Sequence, residues 1–117
     1  MFDWKKPTVQ MLGRWQPWHD GHQALFKRCV AKTGQVIIQV RDVQGASGGD
    51  GQDDNPFDWD AVCKNIEDGL IKDNFKRGED YEIMLVPNIV NITYGRGVGY
   101  AFDEEVFDEA THSISAT

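Results

Sequence analysis

Apolar residues enter this chain in short blocks whose spacing alternates between continuous and helical. Thr8 to Leu12 is partly apolar and is followed by Gly13, which predicts a first strand running into a loop. From His22 onward, Leu25, Phe26, Cys29 and Val30 recur at steps of three and four, the signature of one helix face, and Gly34 is a natural stop. Gln35 to Val40 reads Gln-Val-Ile-Ile-Gln-Val, β-branched and almost continuously apolar, as a buried parallel strand should be. These elements make a βαβ unit, whose crossover is right-handed.

The second half repeats the alternation. Gly45 to Asn55 is rich in Gly, Asp and Ser and has no apolar anchor, so a mobile loop is expected over 43–54. Asn55-Pro56 predicts a helix start, with Asn55 as N-cap and Pro56 in the first turn. Trp59, Val62, Cys63, Ile66 and Leu70 form the buried stripe of that helix, which ends before Gly78 and has Gly69 as a point of interruption. Tyr81 to Val86 reads as a third strand closed by Pro87, and Asn88 to Gly99 as a loop. Tyr100 to Phe107 fits an edge strand or a short helix equally well. Strands and helices alternating at this spacing predict an α/β fold, a doubly wound parallel sheet in one small domain spanning 1–117.

Size and charge narrow the function. At 117 residues, about two-fifths of them apolar, the chain can fill one modest core. Its net charge of −7 argues against bulk nucleic-acid binding, which leaves a basic footprint. Lys5, Lys6, Arg14, Lys27, Arg28 and Arg41 could still converge on a small anion. Cys29 and Cys63 sit in helical patterns and read as buried free thiols. No apolar run approaches the ~20 residues needed to span a membrane, and no signal-peptide pattern opens the chain. A cytoplasmic protein is the default expectation.

The segment Gly13-Arg14-Trp15-Gln16-Pro17-Trp18-His19-Asp20-Gly21-His22 carries the candidate chemistry. It lies after the first strand and before the first helix, where α/β sheets bind ligands. A helix N-terminus offers N–H groups and a positive dipole end to phosphate. Gly13 would let backbone approach an anion, and Gly21 would let the helix start close to the sheet. His19 and His22, three apart, can both donate to phosphate oxygen. Phosphoryl-type transfer needs mainly such positioning and charge stabilisation.

This segment resembles the first signature of the HxGH nucleotidyltransferase superfamily. With Arg and Gln ahead of the proline, it is most similar to the archaeal-type nicotinamide-mononucleotide adenylyltransferases, within the wider cytidylyltransferase-like group. Asn55-Pro56-Phe57 resembles a second segment of that group, and Ser113-Ile114-Ser115-Ala116-Thr117 the start of its later Ile-Ser-x-Thr signature. The resemblance implies a Rossmann-like nucleotidyltransferase fold. It implies transfer of a nucleoside monophosphate from an NTP, ATP favoured over CTP, to a small phosphorylated acceptor, with release of pyrophosphate. His19 and His22 would act at the attacked phosphate, and Gly13, Arg14, Trp15, Gly21, Ser115 and Thr117 would bind the nucleotide phosphates. Gln16, Arg41 and Arg96 are candidate acceptor contacts. Magnesium would ride on phosphate oxygens without a dedicated protein cage. The family's signature normally continues through a basic residue and an Arg, where this sequence stops at Thr117. The run Asn91 to Tyr100 does not match the nicotinamide group's acceptor segment, which implies a different acceptor.

Plainer readings stand beside these. Trp15 and Trp18 could stack on a base or simply pack beneath the loop. Gln16 could bond the acceptor or cap a backbone group, and Arg41 could meet phosphate or pair with Asp42. His19, Asp20 and His22 are a poor zinc set, because no further clear ligand exists except His112 and structural zinc sites usually want four. The alternatives to a transferase are a nucleotide-binding regulatory module without turnover, or a cytidylyltransferase or sulfurylase-like relative. The expected partners are a nucleotide and its acceptor, with no membrane, and a homo-oligomer is compatible with the sequence.

Overall fold

The computed structural model describes residues 1–43, 57–96 and 99–103. Its elements run β1 (Val9–Gly13), α1 (Asp20–Thr33), β2 (Val36–Arg41), α2 (Trp59–Ile71) and β3 (Tyr81–Val86). The three strands are parallel and ordered β1-β2-β3. Gly13 pairs with Val40, and Arg41 with Val86, so the carboxyl ends of all three strands share one edge.

Alternation along the strands decides which face is covered. Met11, Val36, Ile38, Val40, Tyr81 and Ile83 are buried and share one core with Phe26 and Cys29 of α1 and Val62, Ile66 and Leu70 of α2. Both helices therefore lie on the same face. That is what two right-handed crossovers in one direction produce. A doubly wound sheet needs the strand order to reverse so that helices cover both faces. Among the described residues the order advances in one direction only, so the structure there is a three-stranded parallel α/β sheet with two helices.

Helix α1 ends as its sequence predicts: Gly34 adopts φ 94°, and its N–H donates to the Val30 carbonyl. Helix α2 begins later than predicted. Its N-cap is Asp58, which accepts from the Ala61 N–H at 2.9 Å, and not Asn55. The cause is a tertiary contact. The N–H and C=O of Phe57 are both bound by the Gln16 side chain, which holds this residue outside the helix. Asn55 and Pro56 lie outside the described residues, as do 44–54 of the expected loop. Val43, placed in that loop by its sequence, is buried. Residues 100–103 form neither strand nor helix, and 104–107 lie outside the described residues.

Neither cysteine forms a disulfide; Cys29 is buried as expected, Cys63 only half-buried, and desolvation pushes the Cys63 thiol pKa up, away from reactivity. Among the described residues no helix is long and apolar enough to cross a membrane.

Gly69 does not interrupt α2. A Cβ there would stand 2.9 Å from Cδ1 and 3.1 Å from Nε1 of Trp18, so the glycine makes room for an indole. Alanine would gain about 1 kcal/mol in helix propensity. It would also force apart a ring held by a 2.7 Å bond from Trp18 Nε1 to Gln23. Overpacking of this kind costs about 1–3 kcal/mol. Gly69→Ala is therefore expected to lower stability in urea unfolding by about 1 kcal/mol. A more stable variant would show that Trp18 is not held against the helix.

Candidate functional site

The connection from β1 to α1 turns inward. Trp15 takes the left-handed backbone conformation at φ 52°, an arrangement that costs a side-chain-bearing residue about 1–2 kcal/mol. Burial and one hydrogen bond compensate. The ring is only 1% exposed, and its Nε1 donates to the Gln39 carbonyl at 3.1 Å. The indole occupies the space above Gly13, where a Cβ would lie 2.9 Å from Cε2 and Cζ2. The glycine therefore admits a tryptophan on the side where its sequence suggested an approaching anion. The Gln16–Pro17 peptide bond is cis.

Trp18 is 8% exposed and lies 5.3 Å from Trp15, ring centre to ring centre. Both rings belong to the core, Trp15 closed off entirely and Trp18 also lining a hollow described below. Trp18 also begins a chain of contacts to α2. Gln23 accepts from its indole and donates to the Gly69 carbonyl at 2.8 Å and to Asp73 at 2.7 Å.

The two histidines do come together. Their rings stack with centroids 3.6 Å apart. His19 is the N-cap of α1 and its Nδ1 accepts from the Gly21 N–H at 3.0 Å, while His22 Nδ1 accepts from the His19 N–H at 3.2 Å. This is a capping box in which imidazoles replace the usual hydroxyl and carboxylate. An Nδ1 that accepts leaves the proton of the neutral ring on Nε2. His22 is 3% exposed, with Trp15 edge-on at 4.7 Å and Trp18 at 5.5 Å. Desolvation, and secondarily the neighbouring His19, depresses its pKa to about 3. His22 is therefore neutral near pH 7. Its Nε2 is buried without a hydrogen-bond partner. The capping box also changes an expectation. The amides of His19 and Gly21 are spent on imidazoles and do not form a free row for phosphate.

Gln16 settles as a structural clasp. Its Oε1 accepts from Phe57 N–H and its Nε2 donates to Phe57 C=O, both at 2.9 Å, which engages both ends of its amide. Arg14 follows β1 and is half-buried. Arg41 ends β2 at the same edge. It forms no ion pair with Asp42, and its Nε is buried without a hydrogen-bond partner. Arg96 is exposed and lines neither groove described below. Ser115 and Thr117 lie outside the described residues. The cations expected to converge do not all do so: Lys27 pairs with Asp73 at 3.1 Å, and Lys5 and Lys6 precede β1, at the opposite edge.

Two hollows flank the Gln16–Phe57 clasp. One, of about 500 Å³, runs between the start of α1 and the end of α2 and is lined by Pro17, Trp18, His19, Asp20, Asp68 and Asp73 among others. Its three carboxylates are offset by Lys72 in the lining, by Lys27 on Asp73 and by Lys64 on Asp68, which leaves no net positive charge to hold a polyphosphate. The other, of about 160 Å³, lies over the ends of β2 and β3 and includes Gln16, Arg41, Phe57 and Trp59. Among the described residues no three His, Cys, Asp or Glu side chains group as metal ligands. Three features went unread in the sequence: Gln23 as the bridge to α2, the Phe57 backbone as the partner of Gln16, and Asp58 as the cap. Only the last carried a local signal, an Asp three residues ahead of the amide it caps.

Compared with known proteins, the chain matches no family model, and no curated protein is detectably similar to it.

The depressed His22 pKa ties stability to pH. Between about 3 and the ordinary 6.5, the unfolded chain takes up a proton on this ring that the folded chain refuses. Stability from this source is complete above about pH 6.5 and falls as pH drops toward 3, by up to ~1.4 kcal/mol per unit. Asn at position 22 keeps an amide oxygen near the Nδ1 position but cannot titrate. The Tm of the wild type is expected to fall between pH 7 and 4.5 more steeply than that of His22→Asn. Parallel profiles would mean that His22 takes up its proton in the folded state.

Proposed function

We propose that this protein is a nucleotidyltransferase, joining a nucleoside monophosphate from an NTP, ATP preferred over CTP, to a small phosphorylated acceptor with release of pyrophosphate. A Rossmann-like nucleotidyltransferase fold and a cytoplasmic setting accompany that reading. The observation that carries it is the His22 Nε2–H, a donor kept neutral, oriented and without an acceptor among the described residues at the carboxyl edge of a parallel sheet. Leaving a buried donor unmade costs about 1–3 kcal/mol. A phosphate oxygen would recover that cost and gain a preorganised partner.

In this reading the acceptor phosphate is already ionised near neutral pH and attacks the α-phosphorus. The bond from that phosphorus to the bridging oxygen breaks, and pyrophosphate leaves. His22 and His19 donate through Nε2 to the phosphate oxygens on which charge builds, and no general base is needed. Histidines that donate in this way suit phosphate oxygens rather than a metal, so magnesium would be held by the phosphates themselves. Because His22 Nε2 is closed to solvent here, the nucleotide enters as the corner loosens.

A second reading is favoured by that same closure and by the amides spent in the capping box: a nucleotide-binding regulatory module without turnover. Pyrophosphate release, measured with ATP and CTP against a panel of phosphorylated acceptors, separates the two. The transferase reading expects release, and expects His22→Asn to lower it at least ~100-fold, the scale for losing one charge-stabilising donor. Nucleotide binding with no release from any pair would leave the module. An unaltered rate in a folded His22→Asn protein would remove His22 from the chemistry. His22→Ala is the poorer probe, since it also destroys half of the capping box and opens a hole between two tryptophans.

A further inference from the structure

We infer that the 160 Å³ hollow over the ends of β2 and β3 is a subsite for a carboxylate on a small apolar or aromatic group, held by Arg41. The inference rests on the proposed function only in taking this hollow as part of the acceptor's place. The carboxylate is then a feature of the acceptor additional to its phosphate.

Arg41 is the reason to expect a ligand. A guanidinium carries five donors and is almost always paired when it leaves water. The Arg41 Nε is buried without a hydrogen-bond partner, and the guanidinium makes no ion pair among the described residues. Asp42 and Asp58 line the same hollow, yet neither engages it; Asp58 Oδ1 is committed to the Ala61 N–H. A cation kept from two nearby carboxylates is available to an incoming anion.

The surroundings select which anion. Two carboxylates repel a phosphate dianion more than a carboxylate with a single charge. A planar carboxylate also matches the guanidinium fork in two parallel hydrogen bonds. Phe57, Trp59, Val62 and Leu85 complete the lining and suit an apolar or aromatic body. The volume equals that of about five waters at ~30 Å³ each. It admits a carboxylate with a few carbons or a single ring. Phe57 of the clasp lines both this hollow and the groove that His19 lines, so the two adjoin.

The test uses the intact protein without nucleotide and reads the Arg41 Nε–H signal by NMR, assigned by its absence in Arg41→Met. Sodium benzoate is the probe, with acetate and inorganic phosphate for comparison. The expected result is a saturable shift of that signal with benzoate at millimolar concentration, smaller with acetate and smaller still with phosphate. His22→Asn should leave the benzoate shift unchanged, which separates this subsite from the transferase reading. A signal that moves with none of the probes overturns the subsite. A larger response to phosphate overturns the carboxylate assignment.

Stability supplies a second readout. Arg41→Met removes a buried donor that lacks a partner and keeps the apolar stem, so its Tm without ligand should rise by about 4 °C. It should also lose the added thermal stability that benzoate gives the wild type. A lowered Tm would show that Arg41 supports the fold and would overturn its assignment to a ligand.

Discussion

The corner between β1 and α1 depends on two imidazoles that cap one helix for each other. His19 accepts from Gly21 while His22 accepts from His19, and the rings stack as a consequence. A hydroxyl or carboxylate in those positions would satisfy the same amides. Imidazoles do something further. Accepting at Nδ1 fixes the neutral tautomer and leaves an N–H on the far side of each ring. The two tryptophans then deepen the desolvation of His22 until protonation is excluded over the physiological range. The helix start, the tautomer and the charge state are thus one constraint seen at three levels.

Treatment of buried polar groups differs between the two edges of the sheet. At the amino edge, the buried Gln35 is fully engaged: it accepts from Asp3 N–H and donates to the Asp3 carbonyl and the Thr8 hydroxyl. At the carboxyl edge, His22 Nε2 and Arg41 Nε are both buried and unsatisfied. Each such group costs about 1–3 kcal/mol. A chain that satisfies Gln35 so completely can satisfy buried polar groups where stability is the only demand. Departures from that rule concentrate at ligand sites, where a partner arrives from outside.

The clasp between Gln16 and Phe57 joins these features. It connects the corner to the start of α2 across 41 positions of sequence, through two hydrogen bonds to a single residue's backbone. The two hollows lie on either side of it. Trp18, Gln23 and Gly69 make a parallel tie farther along α2. Together they fix the helix that carries Asp58 and Trp59 relative to the histidine pair, although no helix–helix pattern in the sequence announces either tie.

What the sequence determined by itself was local and periodic. Three strands, two helices and the glycine stop at Gly34 follow from residue spacing, because burying one face of a strand or helix demands a period that survives in any context. The approach of His19 to His22 was also legible, since a separation of three at a helix start leaves little choice. Tertiary structure decided the rest. Gly13 read as a close approach to an anion and Gly69 as a break in a helix, yet each makes space for an indole, that of Trp15 and that of Trp18. Gln16 read equally as a ligand contact or a cap, and the nearness of Phe57 made it a cap. Arg41 read as a phosphate contact or as half of an ion pair with Asp42, and the fold forms no such pair. Side-chain partners far apart in sequence depend on how the elements dock, and docking is set by the summed packing of the core, which no single segment encodes.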